Sequence, residues 1–161
     1  MTLRSLAALI AATALTCLAS VAHAQVPQYG VNVTHEQARK AIAAAVADAK
    51  KLNLPVAITV VDTAGQLVAF ERMDNTLTGS IAVSQDKAVS AAIFRRPTKV
   101  FQDALAAGGA GLRILTLRGA SAIEGGIPLM ADGMIIGAIG VSGASAEQDS
   151  VLAKAGVDGM K

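Results

Sequence analysis

Apolar residues recur at Ala38, Ile42, Val46, Ala49 and Leu52, the 3.6-residue spacing of an amphipathic helix. Thr34 followed by Gln37 forms a capping-box signature, so the helix is predicted over residues 35–52, before Pro55. The pattern then changes period. Residues 56–61 are a β-branched run that reads as a buried strand, and Asp62-Thr63-Ala64-Gly65 supplies turn chemistry. Residues 66–72 alternate, with Leu67, Ala69 and Glu71 on one face and Phe70 and Arg72 on the other, which completes a hairpin.

A second helix is predicted over residues 78–94, with Ala82, Ala88, Ala91 and Ala92 giving it a small-residue surface. Pro97 interrupts it, and a shorter helix follows over 98–106. Glycines 108, 109 and 111 mark a flexible connection, and 112–117 reads as a strand. Strands at 127–130 and 134–141 flank an Asp132-Gly133 turn, the strongest short hairpin signal. A last helix is predicted over 146–155, with Gly156 as its stop. Hairpins between helices imply an antiparallel sheet flanked by helices: one α+β domain, with no internal repeat.

Residues 1–24 carry a cation at Arg4, an apolar run over 6–21, and Ala22-His23-Ala24, the small–x–small pattern of a signal-peptide cleavage site. Cleavage after Ala24 is expected, which places the product in the periplasm or outside the cell and leaves 25–32 as a polar leader before a domain over 33–161. It also removes the single cysteine, Cys17, so disulfides play no part in stability. The remaining core is alanine-rich and buries little area per residue, so self-association into a homo-oligomer is expected. Formal net charge is +2 with both signs interspersed, and one Tyr and three Phe supply no stacking ladder, so nucleic-acid binding is not expected.

Catalytic constellations are hard to assemble. The processed chain would hold a single His, His35, and no Gly-x-Ser-x-Gly elbow. Asp62, Glu71 and Asp74 each have an ordinary reading as turn or solvated charges. The glycines at 108–111 lack the Lys-Ser/Thr of a phosphate loop. One His without Cys does not make a zinc site. Haem differs, because one axial ligand can be enough. His35 sits in the first turn of the first helix, where it is either a solvent-facing residue beside the N-cap or a ligand, with Met73, Met130, Met134, Tyr29 or a Thr as other ligand candidates. Arg72 and Lys87 would suit propionates, or else form surface ion pairs. Gly125-Gly126-Ile127-Pro128 reads as a β-bulge, or as backbone that comes close to a ligand or a neighbouring subunit.

AITVVDTAGQLVAFERMD (57–74), SQDKAVSA (84–91) and EGGIPLMADGMIIGAIGVSG (124–143), with Asp149 beyond them, together resemble the GlcG/HbpS-like family, which also forms the C-terminal domain of some corrinoid adenosyltransferases. The resemblance implies a profilin-like α/β domain in oligomers that are octameric in known members. It implies haem binding in some members, and iron-dependent sensing in a secreted one, which makes a membrane sensor a possible partner. It also raises His35 as a candidate axial ligand and haem-iron site, with Arg72 as its partner from the hairpin end. The expected function is a secreted or periplasmic, non-catalytic haem-binding protein, with Lys87, Gly125 and Gly126 among the cofactor contacts. The alternative is an accessory protein or enzyme for a small hydroxy acid such as glycolate, its site built from Arg72, Asp62 and the Gly125-Gly126 backbone.

Overall fold

The structure, a computed structural model, describes residues 26–160. The signal segment proposed for residues 1–24 lies outside them. The elements run α1 His35–Lys51, β1 Ala57–Val61, β2 Leu67–Arg72, α2 Gly79–Ile93, α3 Lys99–Ala106, a 3₁₀ segment Gly109–Thr116, β3 Gly126–Ala131, β4 Met134–Ser142 and α4 Ala146–Gly159. The four strands form one antiparallel sheet in the order β2-β1-β4-β3.

Local chemistry explains most of the boundaries. Thr34 and Ser145 each accept the N3 backbone N–H while Gln37 and Gln148 reach back to the caps, so both α1 and α4 open with capping boxes. The Asp62 carboxylate accepts the N–H groups of Ala64 and Gln66 at 2.9 and 2.8 Å, which closes the first hairpin as the turn reading expects.

The sheet is covered on both sides. Ile58, Val60, Ile139 and Val141 point toward α1 and α4 and make one core with Ala41, Ala45, Ala49 and Leu152. Val61 and Ala138 point the other way, against Ala88, Ala91 and Ala92 of α2. Thr59 belongs to that second face, its hydroxyl 2.8 Å from that of Ser84. Because both faces of β1 are packed, all five of its residues are buried, which is why it reads as a continuous apolar run and not an alternating one.

Helix α2 approaches the sheet unusually closely over the cross-strand pair Gly126–Gly140. A Cβ at Gly140 would stand 2.1 Å from the Ser84 carbonyl oxygen, and one at Gly126 would stand 2.3 Å from that of Lys87. Glycine is required here by space, since the helix backbone occupies the position of the missing side chains.

The leader is part of the domain. Ile135 N–H donates to the Gln28 carbonyl and Gly30 N–H to that of Ile135, both at 2.8 Å, so the segment pairs with the start of β4. The Tyr29 hydroxyl donates to the Ala92 carbonyl at 2.9 Å, at the C-terminal end of α2, and Arg95 lies 5.2 Å over the Tyr29 ring.

Two expectations are corrected. Residues 112–117 lie in the 3₁₀ segment and its end and are not a strand: they pair with none of the four strands, and of Leu112, Ile114 and Leu115 only Ile114 is buried. The last helix runs through Gly156 to Gly159, because Gly156 packs against Ala41 and Ile139, where α1 and α4 touch.

Candidate functional site

Helix α1 and edge strand β2 enclose a groove of about 260 Å³ lined by His35, Arg39, Ile42, Ala69, Phe70 and Glu71. Its construction follows from two periodicities. His35 and Arg39 are four residues apart, so they stack on one side of α1. Glu71 pairs with Ile58 and Ala69 with Val60, so both face α1. The groove therefore combines an imidazole, a guanidinium and a carboxylate with an apolar floor from Ile42 and Ala69. His35, Arg39, Phe70 and Glu71 are all exposed, which leaves the groove open to solvent.

Arg72 is not part of it. The register sets Arg72 opposite Ala57, and strand alternation sends it to the face away from His35. The cation that accompanies His35 is Arg39, one helical turn along. Its signal was the i, i+4 spacing from His35 in the helix already predicted.

Lys87 is neither a surface residue nor free to meet a propionate. It is 1% exposed, and its ammonium donates to the Val141 carbonyl at 2.9 Å and to the Asp149 carboxylate at 2.8 Å. The other Asp149 oxygen accepts the Ala144 N–H at 3.0 Å. Burial pushes the Asp149 carboxyl above its usual range, against the lowering effect of Lys87 and the Ala144 N–H. The pair joins α2 to α4, which lie on opposite faces of the sheet.

Gly125 and Gly126 belong to the same buried cluster. Gly125 has φ +118°, and a Cβ there would meet the Lys87 ammonium at 2.9 Å and Asp149 at 3.0 Å. Gly126 is held by Thr98, whose hydroxyl and N–H bond the Gly126 N–H and carbonyl, each at 3.0 Å. The close approach expected at these glycines is real, but α2 and Thr98 make it and leave a ligand no room. The three parts of the hydroxy-acid alternative also stand apart. Asp62 and Arg72 sit at opposite ends of the first hairpin, and Gly125 leads into the opposite edge strand from Arg72.

Among the described residues, no group of three or more His, Cys, Asp and Glu could hold a metal ion, and no helix is long and apolar enough to cross a membrane. A porphyrin iron needs less, and the groove's donor set fits it: imidazole nitrogen for the iron, guanidinium for a carboxylate, apolar side chains for the ring.

A four-stranded antiparallel sheet with helices on both faces and a groove at one edge defines a small α/β binding domain. The chain belongs to the HbpS-like family: residues 33–158 match the model described as "Haem degrading protein HbpS-like". It is 39% identical over 112 residues to protein GlcG of Escherichia coli K12, covering 70% of this chain and 82% of GlcG. A double mutant of Streptomyces reticuli HbpS superposes with a TM-score of 0.74 at 31% identity, covering 81% of this chain and 88% of that one. A structure described as a PduOC:heme complex superposes with a TM-score of 0.72 at 28% identity, covering 80% and 95% of the two chains.

Proposed function

We propose that this protein is an exported haem-binding protein that holds the macrocycle in the α1–β2 groove, with His35 as axial ligand and Arg39 pairing a propionate. The observation that carries the reading is the placement of the one described imidazole beside a guanidinium over an apolar floor. Membership of a family with a haem complex among its relatives supports it. When bound, haem would supply the iron centre, while the chain ligates, orients and shields it. Glu71 lines the same groove and is the natural acceptor for the second imidazole N–H, which would fix the ring's tautomer.

The groove is open, so a bound macrocycle leaves part of its surface outside the chain. A second copy of the protein covers that surface in this reading, consistent with the exposed Phe70 at the groove rim. Export rests on the character of residues 1–24.

Titrating haemin into the purified protein is expected to give a saturable Soret shift that is weakened strongly in His35→Ala. Arg39→Ala should lower affinity about tenfold through the loss of one charge-assisted hydrogen bond, while Arg72→Ala leaves it unchanged. No shift with the wild type would remove the haem reading, and a shift indifferent to His35 would remove the ligand assignment. Following the Soret band over hours separates holding haem, with a constant band, from degrading it, with a decaying one.

A further inference from the structure

The 3₁₀ segment Gly109–Thr116 turns apolar side chains outward. At three residues per turn, positions three apart eclipse, so Leu112 and Leu115 form one ridge while Ile114 faces inward. Leu115 is 72% exposed, and Leu112, Leu117 and Ile123 are exposed as well. A single exposed leucine is ordinary, but a run of them in one short stretch marks a contact surface.

This stretch is fastened to α2. The Leu117 carbonyl accepts the Ala120 N–H at 3.2 Å, which turns the chain, and the Ser121 N–H donates to the Ser90 hydroxyl at 3.0 Å. Beside that fastening lies a cleft of about 450 Å³, walled by Asp86 and Val89 of α2 and by Ala120, Ala122 and Ile123 of the loop. Asp86 is the one charged residue among those that line it.

The charges match the shapes. Arg113 stands on the 3₁₀ segment and Arg118 just past it, and both are exposed. Among the described residues neither guanidinium has an ion pair, and the exposed Asp86 carboxylate has none either. Arg118 adjoins Gly119 at the cleft wall, yet it does not pair with Asp86 within its own chain. One face thus carries an apolar ridge with free cations and, next to it, a recess with a free carboxylate. A two-fold contact asks for that arrangement. Residues i and j of one copy must meet j and i of the other, so protrusion and recess have to lie side by side. A lipid surface would use the ridge and the cations but gives the acidic recess no part.

We propose that a second copy of this chain docks on this face about a two-fold axis. The Leu112–Leu115 ridge of each copy enters the α2 cleft of the other, and Arg118 of one copy pairs with Asp86 of the other. Helices α1 and α2 lie on opposite faces of the sheet, so the contact leaves the α1–β2 groove free. It is separate from the contact that covers bound haem.

Sedimentation equilibrium of the purified, haem-free protein tests it, and stands whether or not the groove holds haem. The wild type is expected to associate. Leu115→Glu should raise the dissociation constant about a hundredfold, since a tenfold loss per copy counts twice across a two-fold axis. Asp86→Arg and Arg118→Asp should each weaken association about tenfold or more through like-charge contact, and the double reversal should restore it because the pair re-forms with signs exchanged. All three positions are exposed, so each variant should keep the native circular dichroism spectrum. A monomeric wild type overturns the proposal, as does association indifferent to Leu115→Glu in the folded variant, or a double reversal as weak as the single changes. Monomeric protein that instead co-sediments with phosphatidylglycerol vesicles through Leu115 overturns it by assigning the face to a lipid surface.

Discussion

Replacing Lys87 by Met keeps the length of the side chain and removes its charge, so it tests what the buried pair with Asp149 contributes. Both side chains are almost fully buried, at 1% and 4% exposure, and stand 2.8 Å apart. Without Lys87 the Asp149 carboxylate keeps the Ala144 N–H but has lost its counter-ion inside the protein. Breaking such a pair by removing one partner costs about 3–5 kcal/mol at neutral pH. Taking the 33–158 match as the folded unit, an unfolding entropy of about 2.1 cal/mol/K per residue converts that cost into a Tm drop of roughly 11–19 °C.

The pH dependence follows from the same geometry. Burial already raises Asp149, and Lys87 is the foremost influence lowering it, so the variant's carboxyl titrates higher still. A folded-state carboxyl raised above its unfolded value of 3.8 binds a proton that the unfolded chain has released. Its stabilising contribution is therefore full below that value and is lost as pH rises through the folded one. The Lys87→Met penalty should be largest at pH 7 and shrink on acidification toward pH 4. Urea unfolding followed by circular dichroism at fixed protein concentration measures both quantities. A penalty under about 1 kcal/mol, or one that grows on acidification, would refute the reasoning. The double change Lys87→Met with Asp149→Leu should recover most of the loss, because an apolar pair carries no desolvation cost.

Gly126→Ala places a methyl group 2.3 Å from the Lys87 carbonyl oxygen and 2.7 Å from Thr98, so α2 must move; a loss of about 1–3 kcal/mol or more is expected in the same urea assay. Thr34→Ala removes the hydroxyl that accepts the Gln37 N–H and should cost about 1 kcal/mol. Since α1 carries His35 and Arg39, fraying of its first turn should also weaken haemin binding; an unchanged haemin titration would show that the cap does not govern the groove.

The elements with their own local chemistry were legible in the chain: the capping box at Thr34, the turn at Asp62–Gly65 and the Asp132-Gly133 hairpin all stand where their residues predict. Residues 112–117 were not, because an apolar run fits a strand, a buried helix turn or a surface 3₁₀ segment until one knows whether a sheet edge is available to it. Arg72 shows a second limit. Whether it meets His35 depends on the parity of β2 against β1, which is a property of register. Lys87 left a clue that reads more clearly in hindsight. With Ser80, Ser84 and Ala91 it falls on one helical stripe, and that stripe is the buried face of α2. A lysine in the middle of a serine–alanine stripe is a buried lysine, and a buried lysine calls for a carboxylate such as Asp149.

The strand order has a consequence for how the molecule assembles. Each hairpin can form within its own stretch of chain, but β1, ending at residue 61, finds its second neighbour only in β4, which begins at residue 134. The leader that holds α2 through Tyr29 likewise waits for Ile135. The centre of the sheet and the fastening of its first residues thus both depend on one late strand. Folding should be slow for a domain of this size, limited by a single long-range closure, and a chain cut short before β4 should leave β1 half-paired and prone to seek a neighbour elsewhere.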